Sequence, residues 1–181
     1  MRMLRFYSEL ARDRSGIAAV EFAMIVPVMA TMWLGMVQFS QYATADAKTL
    51  MAAQSISNMV AQIGTWQTGQ FNDIASAAND VLAPLPTANA ITVDVVGVAY
   101  DSNSNPTMTG GWRCTSAGGP APDASVPLSL AAGLGSTGQM TILVTVKYAY
   151  QPTITYGVIG ARTLSERSLN RPRLGPIAKP C

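Results

Sequence analysis

The stretch Arg14–Gln41, RSGIAAVEFAMIVPVMATMWLGMVQFSQ, decides how this chain is built. From Ile17 to Phe39 it has the character of a membrane segment, and Glu21 carries the only charge within it. Wound as a helix rising about 1.5 Å per residue, the segment spans roughly 34 Å, against a bilayer core of about 30 Å. Arg2, Arg5, Arg12 and Arg14 precede it, and the next basic residue is Lys48. The positive-inside rule then leaves the N-terminus cytoplasmic and exports the remainder. A buried core helix and a secretory signal peptide are the rival readings. Ala43-Thr44-Ala45 has the small-x-small form of a signal-peptidase site. The apolar run, however, is far longer than the roughly 7–15 residues of a signal peptide core, and Gln38, Ser40 and Gln41 separate the two. Glu21 is costly in lipid, and such carboxylates are usually partnered and functional. The plain alternative is a side chain that reaches back to the cytoplasmic headgroups.

Composition points the same way. The chain has 181 residues, 49% hydrophobic and 12% charged, about half the usual charged share. A net charge of +2 is too small to suggest nucleic acid as a partner. Residues 1–16 hold four arginines against Glu9 and Asp13, so the leader accounts for all of that charge. With no histidine and two cysteines, the usual zinc sites, the Ser-His-Asp triad and the Cys-His dyad are ruled out. Cys114 and Cys181 would form one disulfide in an oxidising compartment and remain two ordinary thiols in the cytosol.

Beyond the apolar run, Ala52, Ile56, Met59, Val60 and Ile63 repeat at helical spacing, and Gly64 is a natural stop. One helix over 17–63 follows, with a kink expected at Pro27; a short anchor followed by a separate helix is the simpler alternative. A second helix is expected over 71–82, closed by Pro84 and Pro86. The period then changes. AITVDVVGVAYD, from Ala90, is rich in β-branched residues, and QMTILVTVKYAYQP, from Gln139, alternates between two faces as a half-buried strand does. A last strand follows Gly160 to about Asn170. Residues 102–138 read as a long loop with one short strand near Trp112. The expected fold is α+β, a long N-terminal transmembrane helix packed on a small antiparallel sheet, with the exported domain over 64–181.

Several patterns imitate chemistry. Gly133-Leu134-Gly135-Ser136-Thr137-Gly138 fits a dinucleotide fingerprint but opens a strand, where nucleotide binding needs a helix. Asp94, Asp101 and Asp123 are expected on strand ends and loops, without the spacing of a carboxylate pair. Trp112, Tyr148, Tyr150 and Tyr156 suit a sheet core better than a sugar-binding surface. Met24, Met29, Met32 and Met36 are explained by lipid or helix contact. Neither a catalytic residue nor a cofactor or metal site is expected.

The basic leader, Gly16, and then Ile17-Ala18-Ala19-Val20-Glu21-Phe22 resemble the processing site of type IV pilin-like proteins. The resemblance is greatest to the TadE-like pseudopilins of the tight-adherence (Flp) pilus system, which open G-x-A-A-V-E-F-A. Arg162–Arg167, leading to Arg171-Pro172-Arg173, is similar to the close of many members. The resemblance implies a prepilin leader over 1–16, cut by a prepilin peptidase between Gly16 and Ile17. Glu21, fifth in the mature chain, and Phe22 would then serve assembly. It also implies a pilin-like fold in the bacterial inner membrane with its C-terminal domain in the periplasm, where Cys114 and Cys181 would be joined. Partners would be the peptidase, other pilins or pseudopilins and the assembly machinery; major subunits are much shorter, so a minor component is implied. The alternative function is a membrane-tethered exported binding module, for instance a glycan-recognising one, with no pilus role.

Overall fold

The computed structural model describes residues 15–67, 69–88, 90–152, 159–179 and 181. Helix α1, Ser15–Gln62, is a single helix of 48 residues that runs through Pro27 without interruption. Its length is about 72 Å at standard rise. The second half is stitched to a sheet by Gln38, Ala45, Thr49, Ala52, Ala53, Ile56, Ser57, Val60 and Ala61, all buried. These positions recur every three or four residues and so form one face. Four of them are alanine, which lets the helix backbone approach the strands closely.

Helix α2, Gln70–Leu82, starts after Gly69, whose φ of 86° is the left-handed conformation glycine tolerates best. It buries Phe71, Ile74, Ala75, Ala78 and Leu82 beside α1. The sheet comprises β1 (Ile91–Tyr100), β2 (Pro106–Thr115), β3 (Met140–Tyr150) and β4 (Arg162–Asn170), in the order β2-β1-β3-β4. All three pairings are antiparallel. On the helical side, Val93 and Val95 join Ile142, Val144, Val146 and Tyr148 in the main core with Ile56, Val60 and Leu82. Each fully buried aliphatic side chain there is worth about 1.5–3 kcal/mol against exposure. The α+β arrangement agrees with the expectation from periodicity.

Two expectations need correction. The half-buried β3 is buried on both sides: Thr141, Leu143 and Thr145 are 1%, 1% and 3% exposed. Residues 116–139 fold back over that outer face, where Ala131 closes a second apolar cluster with Val96, Val98 and Leu143. Polar links hold this cover down. Thr92 Oγ1 donates to Pro120 O at 2.7 Å, and Lys147 Nζ to Ala121 O at 2.8 Å. The short strand near Trp112 is a full ten-residue edge strand. Its pairing with β1 shifts register between Gly97 and Ala99, where β2 bulges around Gly110 at φ 81°. A bulged, glycine-rich edge strand breaks the alternation by which strands are recognised.

Candidate functional site

The first half of α1 stands clear of the domain. Every residue from Gly16 to Leu34 is exposed, including Met24, Ile25, Val28, Met29, Met32 and Trp33. The apolar window within this helix is long enough to cross a membrane, and none of it is covered by the rest of the described chain. Water would penalise such a surface; a bilayer would not. One N-terminal apolar helix is consistent with a single-pass membrane protein.

The residues expected to matter for processing and assembly all sit in the first two turns. Gly16 is the second residue of α1, and a Cβ added there would meet nothing within 4 Å among the described residues. Glycine is the poorest helix former after proline, and nothing among the described residues packs against it or requires it here. Ile17 is 57% and Phe22 70% exposed. Glu21 makes no hydrogen bond or ion pair among the described residues and sits one turn beyond Ile17, the spacing at which helical side chains meet.

The other predicted pair is at the opposite part of the molecule. Cys114, buried in β2, is bonded to Cys181, with Cα atoms 5.9 Å apart. The tail that ends in Cys181 crosses the core. Ile177 is 2% exposed, its carbonyl accepts the Trp112 indole N–H at 2.7 Å, and Arg173 N donates to Ala61 O at 2.9 Å. The bridge thus fastens the tail across the end of α1.

The imitations resolve into structural roles. Gly133 and Gly138 have positive φ, and a Cβ at Gly135 would fall 2.2 Å from the Tyr100 ring. The motif is a turn leading into β3. Trp112, Tyr148 and Tyr150 are core residues, and Tyr156 lies outside the described residues. Burial, followed by the charge of a neighbouring Tyr150, pushes the Tyr148 phenol pKa up.

Asp94 is in the middle of β1, not at a strand end, and it takes two bonds of 2.9 Å from Arg113 and one of 2.8 Å from Thr115. That bidentate partner raises the Arg113 pKa. Asp123 accepts Lys147 at 2.7 Å and Arg167 at 2.8 Å, and these bonds, Lys147 first, hold its carboxyl below the ordinary value. Asp101 closes the β1–β2 turn by accepting the Asn105 and Asn103 amides, which lower its pKa. These ion pairs went unread in the sequence because their members are far apart along the chain; strand register alone unites them.

Residues 16–61 match the family model described as TadE-like protein, so a TadE-like segment occupies α1 from Gly16 almost to its end. That family is structural and associated with the Tad pilus. No curated protein and no solved structure matches the chain.

Proposed function

We propose that this chain is a minor pseudopilin-like structural protein of a tight-adherence pilus. A prepilin peptidase removes residues 1–16, and the helix from Ile17 anchors the product in the inner membrane. The folded domain, residues 64–181 with the packed half of α1, stands in the periplasm. Its partners are other pilins or pseudopilins and the assembly machinery, and its contribution is structural rather than catalytic.

The supporting observation is the coincidence at Gly16. The TadE-like segment begins there, and the residue is exposed in a helix that has no packing use for glycine. An external agent that must approach the backbone closely supplies the missing reason. Cleavage would place a positive amine on Ile17, one turn from Glu21. In lipid each charge is costly alone, and pairing offsets the cost, within one subunit or between neighbours. Glu21 would then set the axial register of subunits.

N-terminal sequencing of the membrane-inserted protein tests the reading. A start at Ile17, lost in Gly16→Leu, is the expected result; a start at Asp46 would indicate ordinary secretion and overturn it. Glu21→Ala should insert and be cut normally, yet lose crosslinks to pilin partners. Unchanged crosslinking would reduce Glu21 to a side chain reaching for headgroups.

A further inference from the structure

The exposed half of α1 meets the domain at a cleft. About 330 Å³ in volume, it lies between α1, the turn after α2 and the end of β3. Ser40, Thr44, Lys48, Pro86, Tyr148 and Tyr150 line it. Ser40 is the first residue beyond the apolar run, and Thr44 lies about 6 Å further along the axis. Headgroup layers extend roughly 5–8 Å beyond the hydrocarbon on each side. With α1 in a bilayer up to Phe39, this cleft opens at headgroup level.

Its chemistry suits an anion with an apolar tail. Lys48 is the only cationic residue among the described lining residues, and no carboxylate is among them. One of its three ammonium donors is used by the Ala83 carbonyl, which leaves two. Lys48 lies about 14 Å beyond Phe39 along the axis, so its ammonium meets the headgroup layer by extending back toward the N-terminus, the direction in which helical side chains tend to lean. Tyr150 is 3% exposed, and its Oη has no hydrogen-bond partner among the described residues. A buried hydroxyl without an acceptor is destabilising, and an acceptor that reaches it by displacing the side chains that close it off would remove that penalty. From the same cleft an open apolar groove runs along α1 past Phe39, Ala43, Ala47 and Met51. It shares Ser40, Thr44 and Lys48 with the cleft and provides a path toward the acyl layer.

We infer that this cleft binds the phosphate of an anionic phospholipid, with Lys48 and the Tyr150 hydroxyl as its donors. The inference rests on the membrane reading of α1 but not on pilus assembly. The lipid would brace the junction at which a bare helix becomes a packed one.

The test uses the full chain extracted in uncharged detergent and examined by native mass spectrometry. Phosphatidylglycerol, phosphatidylcholine with the same acyl chains, and inorganic phosphate are added in separate arms and in competition. Phosphatidylglycerol should be retained about tenfold better than phosphatidylcholine, as expected for one charge-assisted contact. Lys48→Met should lower its retention about tenfold and Tyr150→Phe about threefold. Lys48→Arg and the remote Lys179→Met should keep it. Equal retention by Lys48→Met and the parent chain would overturn the site; displacement by inorganic phosphate would overturn the lipid as its ligand. Alkaline carbonate extraction separates the two readings. A chain that washes off membranes breaks the anchor itself. A chain that stays, yet holds phosphatidylglycerol without Lys48, breaks only this inference.

Discussion

Residues 15–37 and 38–62 belong to one continuous helix, yet the folded domain covers only the second half. The first half is largely apolar around its circumference, Glu21 apart, and is exposed from Gly16 to Leu34; the second presents an alanine-rich stripe to β3 and β4, and on its outer face Phe39, Leu50 and Met51 stand among polar residues. Ile25 and Ile56 make the contrast concrete, one 55% exposed and the other 0%. Hydrophobicity therefore does not by itself decide where a helix packs. The period does: an all-round apolar surface calls for lipid, whereas a 3.6-residue stripe calls for a partner on one side. Gln38 marks the change, since from Gly16 onward it is the first buried residue of α1.

The largest break in this comparison is to remove the bare half. A chain starting at Val37 keeps every α1 residue of the main core and the disulfide. It should fold, remain soluble without detergent and retain no membrane association. Circular dichroism and membrane flotation check it. A truncated chain that aggregates would mean that the exposed half also supports the domain.

The packed half has a covalent guard, so the next effect concerns the tail. Cys181→Ser frees a loop closed between residues 114 and 181. The chain-entropy estimate for such a loop is about 4 kcal/mol, an upper guide because real bridges often contribute less. Since Arg173 N bonds Ala61 O, the loss should first appear as faster amide exchange of Arg173. Denaturant unfolding of the Val37 chain, with and without Cys181, measures the total.

The two isoleucines supply a matched pair. Ile56→Ala leaves a cavity beneath the sheet and should cost about 3 kcal/mol. Ile25→Ala removes nothing from the domain and should leave its unfolding midpoint within about 0.5 kcal/mol of the parent's. Equal losses would show that the halves are energetically one element.

Much of this was legible in the sequence because it rests on local repetition. The packed half of α1, α2 and β3 each repeat at a single period, the bare half of α1 is one unbroken apolar run, β1 is rich in β-branched residues, and Gly16 to Phe22 is a contiguous motif. The outer cover of the sheet was not. It is held by bonds such as Thr92 to Pro120 O and Arg113 to Asp123 O, between residues with no shared period. β2 was underestimated because its bulge at Gly110 interrupts alternation. The cleft between α1 and the end of β3 was equally hidden, since Lys48 and Tyr150 are brought together only when α1 lies down on β3.

The smallest expected effect sharpens what distinguishes the carboxylates of the two halves. Glu21 in the bare half stands alone among the described residues, whereas Glu166 on β4 is partly buried against the packed half, close to Asp46. Burial first, and the Asp46 charge second, push the Glu166 pKa above its ordinary value. A carboxyl raised on folding binds its proton more tightly in the folded state. Its contribution to stability is therefore present below the unfolded pKa and is lost as pH rises through the folded one. At neutral pH the ionised Glu166 opposes folding, so Glu166→Gln should stabilise the Val37 chain by less than about 1 kcal/mol, solvent screening keeping the effect small. The gain should shrink as pH falls through the folded pKa of Glu166, where the parent side chain is neutral as well. Denaturant midpoints of both chains across the acidic range check the sign. A gain that persists unchanged at low pH would assign the effect to packing and remove the charge of Asp46 from the account.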